Sequence, residues 1–116
     1  MTDSAFDYQV VLKSDLSGAV SSLIAYQVRP DSPFRAVIWS VPRHSWVYAP
    51  ALAVSFLYDD KYRDRIQPVD RHVAEQAALL ALRSELPNEA VLLEMCAEGE
   101  RMGWDYGPPR QADQTR

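Results

Sequence analysis

The spacing of apolar residues changes once along this chain, near Ala49-Pro50. Before that point apolar side chains recur at every second position, and after it they recur at helical intervals. Strands followed by helices, without alternation, specify an α+β domain and exclude a parallel α/β fold. Phe6, Tyr8, Val10 and Leu12 alternate with Asp7, Gln9, Val11 and Lys13, which predicts a first strand with one face buried. The turn-rich stretch Ser14 to Gly18 leads into Val20, Ile24, Tyr26 and Val28, a second strand closing a hairpin. The same residues also fit an amphipathic helix, with Leu16, Ala19, Val20, Leu23 and Ile24 on one side and Ser14 as its cap. Pro30 and Pro33 mark a loop, because proline removes ladder donors and pushes its predecessor away from helical geometry. Phe34 to Val41 and Trp46 to Tyr48 complete a four-stranded antiparallel meander.

Pro50 suits the first position of a helix, where its missing N–H costs nothing, and the spacing runs this helix to about Asp59. Pro68 repeats the signal for a second helix, with Val69, Val73, Ala77, Leu80 and Ser84 along one face and Ala74, Ala78 and Ala81 broadening it. Those alanines allow a close helix neighbour. Asn88 and Glu89 open a third helix whose buried stripe is Val91, Leu92, Met95, Cys96, Gly99 and Met102. Gly103 stops it, and Trp104 is placed to fold back onto its end. The expected architecture is one domain over residues 1–107, with the three helices on one face of the sheet. Residues 108–116 lack periodicity and are expected to form a disordered tail.

At 116 residues the chain can bury a core without staples. Its net charge of -4 works against nucleic acid or an anionic membrane and favours a basic or neutral partner. The single cysteine, Cys96, sits in an apolar helical pattern and points to a reducing cytoplasm. The first residues show no signal-peptide pattern, and no run of eighteen apolar residues exists to span a membrane.

Polar chemistry concentrates between Tyr58 and Glu75, where Asp59, Asp60, Lys61, Tyr62, Arg63, Asp64, Arg65, Asp70, Arg71 and His72 carry nearly cancelling charge. Such a stretch reads either as a solvated connection laced with weak ion pairs or as an interaction surface rich in Tyr and Arg. With Trp46, beside a hairpin turn, the candidate partner-binding residues are Tyr58, Asp59, Asp60, Tyr62, Arg63, Asp64, Arg65, Asp70 and Arg71. No catalytic set stands out. His44 and His72 lack the helical spacing of a zinc site, Ser45 beside His44 on a strand points to the opposite face, and there is no nucleophile elbow. Neither a cofactor nor a metal is expected. Arg63, Arg65 and Arg71 are interleaved with aspartates that repel a phosphate backbone. The expected function is therefore a small, acidic, cytoplasmic protein-interaction module of the immunity-inhibitor, antitoxin-like or accessory kind. The alternative is a small enzyme or ligand-binding protein using Asp59, Asp60 and Arg63 beneath Trp46 and Tyr48. A homodimer closed by the helical face is a further arrangement open to the chain.

Overall fold

The computed structural model describes residues 5–15, 17–31 and 33–107, so the expected tail at 108–116 lies outside the described residues. The chain forms an α+β domain around one antiparallel five-stranded sheet, ordered β4-β3-β2-β1-β5. The strands are β1 (Asp7–Leu12), β2 (Val20–Gln27), β3 (Arg35–Ser40), β4 (Ser45–Tyr48) and β5 (Ile66–Val69). The first four make the meander that the alternating pattern predicts. Val20 to Gln27 is a strand and not the competing helix, paired with β1 from Asp7↔Tyr26 to Leu12↔Val20 and with β3 from Ile24↔Ile38 to Gln27↔Arg35.

Helices cover both faces of the sheet, not one. Helix α1 (Pro50–Tyr58) begins on its proline and packs through Ala53 over Val11, Ile24, Ala36, Ile38 and Val47. Helix α2 (Arg71–Ala77), its wider π-helical continuation Ala78–Leu82, and α3 (Glu89–Met102) cover the opposite face, over Tyr8, Val10, Leu23, Val37, Trp39 and Tyr48. The second apolar face escapes a period-two reading because Val11 stands among Asp7, Gln9 and Lys13, whereas Ile24 and Ala25 are neighbours that are both buried.

Pro68 does not start a helix. It sits in β5 opposite Gln9, on an edge strand where a missing N–H disturbs no second ladder. The helix begins later, where the Asp70 carboxylate accepts the Val73 N–H at 2.8 Å as an N-cap. That delay rotates the buried stripe. Ala74, Ala78 and Leu82 face the sheet, while Val73 is 43% and Leu80 78% exposed. The close neighbour that the alanines admit is the sheet, since α2 meets β1 and the π-helical turn meets β2.

Helix α3 starts as expected, with the Asn88 side chain accepting the Val91 N–H at 2.9 Å, and it buries Leu92, Cys96 and Gly99. Val91 and Met102 lie outside the buried stripe. Gly103 adopts the left-handed conformation at φ 72°, and the Trp104 N–H donates to the Gly99 carbonyl at 2.9 Å, which returns Trp104 to the core. The chain then closes the outer edge of β4. Tyr106 and Gly107 donate to the Tyr48 carbonyl at 2.7 and 3.0 Å, and the Tyr48 N–H donates to Gly107 at 2.6 Å. Beyond that edge the Tyr106 hydroxyl bonds Ser40 Oγ on the α1 side.

Gly99 is the contact that seats α3. The Tyr48 ring lies against the helix backbone there, and a Cβ at position 99 would overlap ring carbons that include the Cγ next to the β4 backbone. Alanine would favour the helix intrinsically, but the ring has no room to retreat. Gly99→Ala is expected to lower stability by about 1–3 kcal/mol, the range for overpacked cores. Urea denaturation of the variant against the parent checks this.

Candidate functional site

β1 runs one residue past the end of β5: Val69 pairs with Tyr8, whereas Asp7 pairs only with Tyr26 on β2. The chain leaves the sheet at Asp70 and turns into α2, while the start of α3 comes in from the other side. Between these elements lies a groove of about 850 Å³. Phe6, Tyr26, Pro68 and Val69 contribute its apolar walls, and Asp7, Asp70, Glu75 and Glu89 bring carboxylates to it.

One polar network holds this corner together. The pleat points Tyr8 into the layer shared with Val10, Leu23 and Leu92, where its ring is buried. A buried phenol needs a partner for its hydroxyl. It has two. The Tyr8 hydroxyl donates to Glu89 Oε2 at 2.7 Å and accepts from Arg71 Nη1 at 2.9 Å. Arg71 Nε donates to Glu75 Oε2 at 2.8 Å, one helical turn along α2, and Glu89 Oε1 accepts the Ala5 N–H at 3.0 Å. The first residues of two helices therefore meet on one atom of the sheet.

The network also fixes protonation. Burial, reinforced by the hydrogen bond to Glu89, raises the Tyr8 phenol well above the ordinary tyrosine range, although Arg71 partly opposes the shift. Burial works against the Arg71 charge, but its bonds to Tyr8 and Glu75 more than offset this and hold its pKa above the ordinary value. The corner thus holds a protonated donor beside a paired cation. It can bind and orient; Tyr8 cannot serve as a proton acceptor there.

The structure divides the charged stretch between the two faces of the β5 edge. Residues 58–65 lie on the α1 side. Tyr58 is 66% exposed at the end of α1, Asp59 Oδ1 accepts the Lys61 N–H at 3.2 Å, and Asp64 is exposed. Asp60 and Arg63 form a solvated ion pair at 2.6 Å, with side chains 87% and 74% exposed. Tyr62 packs against Phe56 in a tilted contact at 4.5 Å between centroids, with Arg65 5.4 Å from its ring, and Arg65 Nε donates to the Leu12 carbonyl at 2.9 Å. Asp70 and Arg71 lie on the other side, at the groove. Trp46 joins neither group: it is on β4, at the opposite edge of the sheet, packed on Trp39 at 5.2 Å with its indole N–H donating to Ser84 Oγ at 3.3 Å. Asp59, Asp60 and Arg63 are therefore not brought beneath Trp46 and Tyr48, and the site imagined for them does not form.

Asp7, Tyr8, Tyr26 and Glu89 are among the groove residues that sequence reasoning missed. Tyr8 reads as core and Glu89 as a favourable first-turn charge. The available signal was a tyrosine within a face otherwise suited to aliphatic side chains. Cys96 is buried as expected, and burial pushes its thiol up to about 11, so it is no nucleophile at neutral pH. Among the described residues no group of His, Cys, Asp and Glu has the geometry to hold a metal ion, and no helix is long and apolar enough to cross a membrane. No family model, curated protein or solved structure matches the chain.

Tyr8→Phe leaves Arg71 and Glu89 each short of one bond at a partly buried site, and is expected to cost about 1–3 kcal/mol. The pH dependence has a definite sign. A phenol whose pKa is higher in the folded chain stabilises fully below the unfolded value of about 10 and loses that contribution as pH rises toward the folded value. The stability gap between parent and Tyr8→Phe should therefore narrow above about pH 10, as measured by denaturant titration at a series of alkaline pH values.

Proposed function

We propose that this protein is a small, acidic, cytoplasmic protein-interaction module, of the inhibitor, antitoxin-like or accessory kind, that binds a protein partner through its 58–75 segment. One observation carries this reading: the whole segment follows a single edge of the sheet, with charged heads on both faces of β5 and a groove at its end. The exposed Asp60–Arg63 pair adds little to folding, because solvated pairs of this kind are screened and entropically costly. Its side chains are available to a partner. The groove at the end of this edge offers apolar walls and carboxylates to the same partner.

A basic or neutral partner suits the acidic chain. The second reading, an enzyme or ligand-binding protein built on Asp59, Asp60 and Arg63, loses its aromatic half to the far edge of the sheet. Affinity capture from the cells that make the protein, with the parent and an Arg63→Ala/Asp64→Ala double variant as baits, tests the interaction reading. The double variant is expected to keep the parent Tm and to recover much less partner. Equal recovery by both baits would contradict the assignment.

A further inference from the structure

We infer that the groove beside Tyr8 receives an extended, basic segment of the partner protein, an inference that rests on the interaction reading above. The groove is open and has the size of a ligand site. Its walls are apolar enough to seat backbone and aliphatic stems, and Tyr26 places an aromatic ring among them. Its charge selects the occupant. Four carboxylates, on Asp7, Asp70, Glu75 and Glu89, border it against the guanidinium of Arg71, whose Nε and Nη1 are committed to Glu75 and Tyr8, and the imidazole of His72. Asp70, Glu75 and Glu89 each hold a bond within the corner, and the excess of negative charge remains. Asp7 is exposed and has no ion pair among the described residues. An acidic or phosphorylated segment would meet repulsion, whereas lysine or arginine would find acceptors and an aromatic face.

The sheet explains why the segment would be extended. β5 ends at Val69 while β1 continues to Asp7, so the groove prolongs the line that β5 leaves empty. Pro68 withholds a donor from β5 itself, which disfavours strand addition alongside β5 and leaves its end as the open seat.

The test is an amide-shift titration of the isotopically labelled full chain with a short peptide of alternating arginine and glycine, and with its glutamate counterpart. The arginine peptide is expected to shift the amides of Asp7, Tyr8, Val69, Arg71 and Glu89. A groove variant, Asp7→Asn/Asp70→Asn/Glu75→Gln, is expected to weaken its binding about tenfold or more, while keeping the cap at position 70 and an acceptor for Arg71. Asp15→Asn/Asp31→Asn/Glu94→Gln removes the same charge at exposed positions outside both the groove and the 58–75 segment and is expected to leave binding unchanged.

Equal losses in the two triple variants, shifts centred on residues 59–65, equal binding of the glutamate peptide, or no shifts at all would each overturn the proposal. Shifts at the groove that appear on concentrating the protein alone would assign it to a second copy, which also overturns it. If the titration fails while partner capture still depends on Arg63 and Asp64, the occupant is wrong and the interaction reading survives. Loss of both retires both.

Discussion

The hydroxyl of Tyr8 is the point on which this structure turns. It is a polar atom at the margin of an apolar layer, and leaving it without a partner would cost more than a matched bond returns. Arg71 and Glu89 satisfy it from the first residues of α2 and α3, so a single side chain of β1 ties the two helix starts, each set by its own N-cap, to the sheet. Glu89 extends the connection to the Ala5 N–H, and Gln27 Nε2 donates to the Ala5 carbonyl at 2.9 Å, which ties β2 into the same corner. The groove follows from that arrangement, because it is the space left between a strand that continues, a strand that stops and two helix starts held apart by the network.

The rest of the fold answers two burdens of a sheet with apolar residues on both faces. Each face needs a helical cover, and each edge needs protection from stray pairing. α1 covers one face through Ala53, and the α2 to α3 layer covers the other. At the far end of the sheet Arg35 grips Glu100 through two bonds of 3.0 and 2.9 Å, holding α3 against β3. The edge at β4 is closed by Tyr106 and Gly107, and the edge at β5 is shortened and carries Pro68. Among the described residues the β5 edge keeps a concentration of charge with an open groove at its end.

Much of the fold was legible in the sequence because each signal was local. Alternation from Phe6 to Leu12 marked β1, Pro50 marked α1, and Asn88 with Gly103 bracketed α3. β5 was hidden because a four-residue strand containing proline, set in a run of charges, has no period to read. The missed strand also displaced the start of α2 and with it the buried stripe, so that Leu80 faces solvent and Ala74 faces the sheet. The candidate site was legible by half. Asp70 and Arg71 stood out as charges, but Tyr8 and Glu89 meet across 81 residues of sequence, and no spacing rule predicts that contact. Trp46, offered as part of the same surface, belongs instead to a tryptophan pair at the opposite edge.

The central claim is that Tyr8 and Glu89 are energetically coupled, and a double-mutant cycle measures that coupling directly. Stability would be determined for the parent, Tyr8→Phe, Glu89→Gln and the two together. The account predicts an interaction energy between about 0.5 and 3 kcal/mol, as for residues sharing a buried network. Losses that add within about 0.3–0.5 kcal/mol would show that the two side chains act independently, and the corner described here would not be what holds the sheet and its helices together.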